Sequence, residues 1–162
     1  ELIKRWNSVI EDDDIVYYLG DLAFCRDELA QWFIHSLKGK IHFIMGNHDK
    51  LKKIRKYGRW EEIYEYGTEI FIKDEDLKST RGMNGYQQII MTHYPILSWN
   101  RAHYGSWHLH GHCHGSLMKS NQDYYKRKVI DVGCNVIDYT PASYEEIKGV
   151  MLKKDIISVD HH

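Results

Sequence analysis

The sequence predicts an α/β fold, on two observations. Near its start, apolar β-prone runs flank a helical one: residues 14–19 (DIVYYL), then 27–37 (DELAQWFIHSL), then 40–45. Strand, helix and strand at those lengths make a βαβ unit with a parallel sheet. The second observation is that polar, metal-competent residues sit just past the strand ends. Asp21 follows the first run, Asn47, His48 and Asp49 the second, His93 a later one, and His112 and His114 another. In open α/β sheets this edge is where ligands bind, because loops converge there without interrupting the ladder.

The chain opens on ELIKRWNSVI, where Leu2, Ile3, Trp6, Val9 and Ile10 form one apolar stripe at helical spacing. It has neither an initiator Met nor an N-cap residue, so it reads as a helix entered part-way, with residues expected upstream. The strand over 14–19 stops at Gly20-Asp21. The helix over 27–37 has an acidic start, and Gly39 is expected to close it. The strand over 40–45 stops at Gly46. Short basic helix and turn material then leads to an expected hairpin of 63–66 and 69–73, with Gly67 in its turn. Residues 73–85 are polar and read as a surface loop, and 87–92 form a strand that stops at His93. Strands over 106–110, 129–132, 149–152 and 156–159 complete the set. Ser143 starts a short helix, with Glu146 at capping-box distance. No internal repeat, low-complexity tract or linker divides the chain, so residues 1–162 are expected to form a single domain.

A chain of 162 residues with 43% hydrophobic and 28% charged residues has the profile of a globular protein with a sizeable core. A net charge of -1 argues against broad capture of nucleic acid, which is expected only as a substrate. The basic runs 52–56 and 126–128 read as solvated faces. Cys25, Cys113 and Cys134 form no CxxC pair, so neither a disulfide framework nor a zinc ribbon is suggested, and a reducing cytoplasm fits best. No apolar run approaches membrane-spanning length.

The stretch SWHLHGHCHG places His108, His110, His112 and His114 on every second position. A strand would turn alternate side chains to one face, and a metal ion is the usual holder of gathered imidazoles. Singly, each signal is weak: a Gly-Asp pair is a turn almost anywhere, and an isolated strand-end His usually packs or is solvated. GNHD is more specific, since three such polar residues after a strand have no core role, and GHCH is stronger still. Flanking Gly20, Gly46, Gly111 and Gly115 let the backbone turn sharply at a small, charged site.

These motifs together, GD (20–21), GNHD (46–49), His93 before Tyr94-Pro95, and GHCH (111–114), resemble the calcineurin-like metallophosphoesterase superfamily. The resemblance covers most of the chain. The compact spacing and CNVIDYTPASYEEI look more like small bacterial or phage phosphoesterases than eukaryotic protein phosphatases, whose arginine-bearing GD motif GDLAFCRDE does not reproduce. The resemblance implies a four-layer α/β/β/α sandwich with mixed sheets and two divalent metals at the sheet edge. It implies that Asp21 bridges the metals, that Asn47, His93 and His112 complete the second site, and that His114 binds at the first. His48 would face the phosphate and leaving group, with Asp49 orienting it.

In the family the first site also takes an Asp-x-His motif at the end of the first strand. None precedes the opening helix, so the first strand and part of that site are expected to be missing. Asp160 and His162 have the spacing, at the other end of the chain. The implied activity is hydrolysis of phosphomonoesters or phosphodiesters. Paired cations screen the anionic phosphate and make hydroxide from water near neutral pH. Mixed N and O ligands suit Mn, Fe or Zn, with Mn the expected ion in vitro.

The remaining candidates are weighed against plainer roles. His108 and His110 read as packing residues or supports for the ligands. Arg101 and His103, in the loop between two metal-bearing segments, could touch substrate phosphate. His35 and His42 read as structural, Cys113 alternates away from its His neighbours, and Trp6, Trp32, Trp60, Trp99 and Trp107 read as core or groove aromatics. The rival function is a scaffold or binding protein that keeps the fold without catalysis; the presence of His48 favours the enzyme. A metallo-β-lactamase-like hydrolase is rejected, since HxHxDH would need Asp where His112 stands.

Overall fold

A computed structural model of the chain describes residues 1–22, 25–77, 84–157 and 159. Asp160 and His162, which match the missing motif in spacing alone, lie outside the described residues. The fold is mixed α/β, with two sheets and flanking helices.

The first half builds one sheet. Its elements are α1 (Leu2–Asn7), β1 (Ile15–Tyr18), α2 (Asp27–His35), β2 (Lys40–Ile44), α3 (Leu51–Tyr57) and β3 (Trp60–Tyr64). The three strands are parallel in the order β1-β2-β3, with Val16 opposite Ile41 and Tyr18 opposite Phe43. Strand alternation sends Ile41 and Phe43, both fully buried, onto Ala30 and Ile34 of α2 and Ile54 and Tyr57 of α3. Only part of the opening stripe joins them. Ile3 and Trp6 pack on this cluster, and the Trp6 indole donates to the Lys38 carbonyl, while Leu2 and Val9 stay about half exposed. Gly39 does not close α2, which ends at His35 with Ser36 as its cap. Its φ of +91° instead turns the chain into β2, where a Cβ would crowd Ile10, the Asp14 carbonyl and Val16.

The second half builds a four-stranded sheet in the order β4-β5-β6-β7 from β4 (Gly67–Lys73), β5 (Tyr86–Thr92), β6 (Trp107–His110) and β7 (Val129–Asp131). β4 is antiparallel to β5, and β5, β6 and β7 are parallel. The helices are α4 (Ser116–Ser120), α5 (Gln122–Lys126) and α6 (Tyr144–Met151).

The expected hairpin does not form. Ile63 in β3 pairs with Phe43, whereas Glu69 in β4 pairs with Ile90, so adjacent strands enter different sheets. Gly67 belongs to the ladder, where a Cβ would meet the Met91 carbonyl and Thr92. The strand expected over 149–152 is also absent. Residues 149–151 are the last turn of α6, fixed by the Ser143–Glu146 capping box and by burial of Ile147 and Met151 four residues apart. Of the strand expected over 156–159, the described residues show one isolated bridge nearby, Arg127 to Asp155, and Ile156 and Ile157 are exposed.

A second apolar cluster draws on both sheets: Ile44 of β2, Ile89 and Met91 of β5, Trp107 and Leu109 of β6, and Met151 of α6. A third covers the other face of the second sheet, where Ile90 and Val129 meet Trp99 and the α5 residues Tyr124 and Tyr125. Trp6, Trp60, Trp99 and Trp107 join these clusters as expected; Trp32 does not, being 60% exposed on α2. A buried ion pair fastens α6. Lys148 Nζ lies 2.8 Å from Asp74 Oδ2 and from Asp76 Oδ2, and the Tyr144 hydroxyl donates to Asp74.

Candidate metal centre

The ends of β1, β2, β5 and β6 meet at one edge of the molecule. Two loops there, residues 20–22 after β1 and 46–49 after β2, touch so closely that side chains are excluded between them. A Cβ on Gly20 would lie 2.5 Å from the Gly46 amide nitrogen and 2.8 Å from His93 Nδ1, and one on Gly46 would run into the Asp21 carboxylate. Asp49 ties the pair together. Its Oδ2 accepts the N–H of Asp21 at 2.7 Å and of Gly46 at 2.8 Å, and its Oδ1 accepts the N–H of Leu22 at 3.1 Å. The carboxylate expected to orient His48 therefore serves the backbone of both loops.

Asp21, His93 and His112 offer ligand atoms that all lie within 4.8 Å of one another. His93 is buried at the end of β5. Its Nδ1 lies 2.6 Å from the Leu19 carbonyl oxygen, and its Nε2 lies 3.0 Å from Asn47 Oδ1 and 3.4 Å from Asp21 Oδ2. A carbonyl only accepts, so Nδ1 carries a proton, and Nε2 is turned toward two acceptor oxygens. Inward-facing donors of this kind suit a cation, and a ligating His commonly gives its other N–H to such a carbonyl. The exposed edge of the centre is His112, whose ring stands 5.1 Å from that of His93 and 4.6 Å from that of Tyr94. The other Asp21 oxygen accepts the His48 N–H at 3.0 Å.

The four alternating histidines divide at Gly111. His108 and His110 are fully buried on the face of β6 that carries the third cluster, and both are satisfied. His108 Nδ1 donates to the Ile90 carbonyl at 3.2 Å and its Nε2 accepts the Ile96 N–H. Burial, then the neighbouring His110, pushes its pKa down to about 3. His110 Nδ1 donates to the Gly111 carbonyl and its Nε2 accepts the Tyr125 hydroxyl at 2.9 Å. Beyond β6 the alternation ends, because His112 and His114 adopt φ of 63° and 49°. His114 is not among the three converging groups. Its Nδ1 lies 3.1 Å from Asn135 Oδ1, and Asn135 donates to its carbonyl.

The loop bearing both histidines is held by a carboxylate that sequence reasoning missed. Asp131, fully buried at the end of β7, accepts the N–H of Gly115 at 2.8 Å and of Gly133 at 2.9 Å. Leu19, Asn135 and Tyr94 were likewise unforeseen.

Arg101 and His103 are not brought to this edge. They lie in a 3₁₀ turn that precedes β6, with Arg101 over the Tyr104 ring at 5.2 Å and His103 against it at 4.2 Å. In a parallel sheet that places them at the opposite end of β6 from Gly111. His35 and His42 are structural as expected, bonded to the Tyr57 carbonyl and the Tyr64 hydroxyl. His48 is exposed and lines a small cavity with Leu22, Lys50, Lys53, Ile54 and Tyr57. Among the described residues, no helix is long and apolar enough to cross a membrane.

No family model matches the chain. It is 33% identical over 163 residues to the Uncharacterized protein MJ1445 of Methanocaldococcus jannaschii, covering 96% of this chain and 76% of that protein. The chain belongs to the MJ1445 family. It is also 25% identical over 150 residues to the Gene 66 protein of Mycobacterium phage L5, covering 82% of this chain and 70% of the phage protein. Among solved structures, it shares its fold with the protein of unknown function AQ665 from Aquifex aeolicus. The TM-score is 0.66 at 23% identity, over 92% of this chain and 82% of the other.

Proposed function

We propose that this MJ1445-family chain is a calcineurin-like metallophosphoesterase, a cytoplasmic hydrolase of phosphomonoester or phosphodiester bonds. The observation that carries the reading is the meeting of Asp21, Asn47, His93 and His112, with His93 Nε2 aimed at the Asn47 and Asp21 oxygens. The order of helices, sheet, sheet and helices implied by the three apolar clusters supports the four-layer sandwich.

One carboxylate, one amide and two imidazoles fit Mn, Fe or Zn. These four residues would hold one ion, while Asp21 and His114 would contribute to a second that needs further donors. Bound divalent ions supply charge neutralisation for the phosphate and acidify water. The chain's own part is positional. Asp49 fixes the two loops, and His48, tied through its N–H to Asp21, stands ready to give a proton to the leaving oxygen.

The test is hydrolysis of bis-p-nitrophenyl phosphate and p-nitrophenyl phosphate after chelation and readdition of Mn. Metal-dependent turnover of either ester supports the enzyme. Metal binding with no turnover of either supports the scaffold instead.

A further inference from the structure

A face of unmatched positive charge begins at the candidate metal centre. Residues 50–56 (KLKKIRK) follow directly on the loop that carries Asn47 and His48, and Lys50, Lys52, Lys53, Arg55 and Lys56 are all exposed. Ile54 and Tyr57 anchor the opposite side of α3 in the core, so the cations share its outer side. Elsewhere many cations are matched, and the exposed ones without an ion pair among the described residues, such as Lys4, Arg26, Lys119 and Lys153, are scattered along the chain. Arg5 pairs with Glu1 and Asp138, Lys38 with Glu11, Lys40 with Asp13, Lys73 with Glu75, and Lys126 with Asp123. On α3 Lys53 pairs with Asp27, but among the described residues Lys50, Lys52 and Arg55 make no ion pair. Helix stability does not account for Lys50 and Lys52, which stand at the start of α3 and oppose the helix dipole, whereas Arg55 in the last turn suits it.

Two further features adjoin this face. Lys50 and Lys53 line a cavity of about 80 Å³ with His48 and Asp49, so the charge reaches the loop that bears His48. Trp32, 60% exposed on α2, lies one turn before His35, whose ring bonds the Tyr57 carbonyl at the end of α3. An exposed indole on the helix that packs against α3, with the exposed cations of α3 itself, combines a base-stacking platform with phosphate contacts, the pairing by which proteins hold single strands.

We propose that α3 and Trp32 bind a single-stranded nucleic acid and deliver one of its phosphodiesters to the metal centre, with His48 on the leaving-group side. This rests on the phosphoesterase reading and narrows its substrate to a phosphodiester flanked by further phosphates. α3 spans about 10 Å, enough for two or three phosphates of an extended strand.

The test is fluorescence anisotropy of labelled ten-residue oligothymidylate, over a series of salt concentrations, with the parent protein and with K52E/R55E. Neither residue lines the cavity or belongs to the centre, so bis-p-nitrophenyl phosphate turnover should be unchanged in the variant. Strand affinity should fall about tenfold or more at low salt. The slope of log affinity against log salt should become less negative by about 1.4, which is two lost contacts at about 0.7 each. Equal affinity and slope in both proteins, or no strand binding by the parent, would overturn the proposal. Intact, α3-dependent strand binding without any ester hydrolysis would uphold the binding face and strike the phosphoesterase reading alone.

Discussion

His93 Nδ1 lies 2.6 Å from the carbonyl oxygen of Leu19, a backbone atom 74 positions earlier in the chain. That bond fixes the imidazole tautomer and aims Nε2 at Asn47 and Asp21. A metal ion placed among these groups would take Nε2 and the two oxygens as ligands. Chelated protein should therefore gain stability on adding Mn or Zn, by about 2.7 kcal/mol at a hundredfold excess over Kd. His93→Ala should abolish the gain. Calorimetric scans with and without metal check this, and an unchanged midpoint in the parent protein would count against the centre.

Binding and chemistry should separate at His48 and His112. His48→Asn should slow ester hydrolysis by about 10²–10⁴-fold while leaving metal content intact. His112→Asn should lower metal occupancy. Elemental analysis beside turnover decides between the roles, and equal metal loss in the two variants would make His48 a ligand.

Asp49 should prove structural. Asparagine in its place turns an amide donor toward some of the three N–H groups that the carboxylate now accepts. Asp49→Asn is expected to cost about 1–3 kcal/mol in urea unfolding. Metal affinity should fall with it, because the loops bearing Asp21 and Asn47 would part. A variant as stable as the parent, with full metal affinity, would refute the role.

Buried His108 predicts an acid limb. Folded, its pKa is pushed down to about 3, chiefly by burial, whereas unfolded it titrates near 6.5. Between those values only the unfolded chain takes up the proton. Its contribution to stability is complete above about pH 6.5 and is lost as the pH falls toward 3, by up to about 1.4 kcal/mol per pH unit. His108→Gln should flatten that limb in urea titrations run from pH 7 to pH 4. Parallel curves for the two proteins would exclude the assignment.

Local pattern made part of this legible. The βαβ unit was readable because α2 has helical spacing between two apolar runs, and the loops bearing Asp21 and Asn47 because glycines stand beside polar groups at strand ends. Pairing was not. Alternation marks β3 and β4 as strands but says nothing of their partners, so a hairpin and a change of sheet look alike in sequence. The Val150-Met151-Leu152 run suits a helix as well as a strand, and the helix that starts at the Ser143 cap extends through it because Met151 is buried one turn after Ile147. The histidine alternation held through β6, yet its face is the core, and the turn at Gly111 that frees His112 is tertiary. The Asp131 carboxylate accepts backbone N–H groups and His93 bonds a backbone carbonyl, and for such main-chain partners residue type carries no signal.

Because β3 and β4 enter different sheets, only Glu65 and Tyr66 separate the two, and Tyr66 is 88% exposed. Asp21 and Asn47 come from the segment before that link, His93 and His112 from the one after it. An ion at the centre would thus be a clasp across two separately wound pieces. Proteolytic nicking at Tyr66 should leave a complex that holds together through the intersheet core, and chelation should loosen it in native gel electrophoresis. The same clasp makes the chain a candidate for a split reporter, in which two fragments reassemble in proportion to available metal.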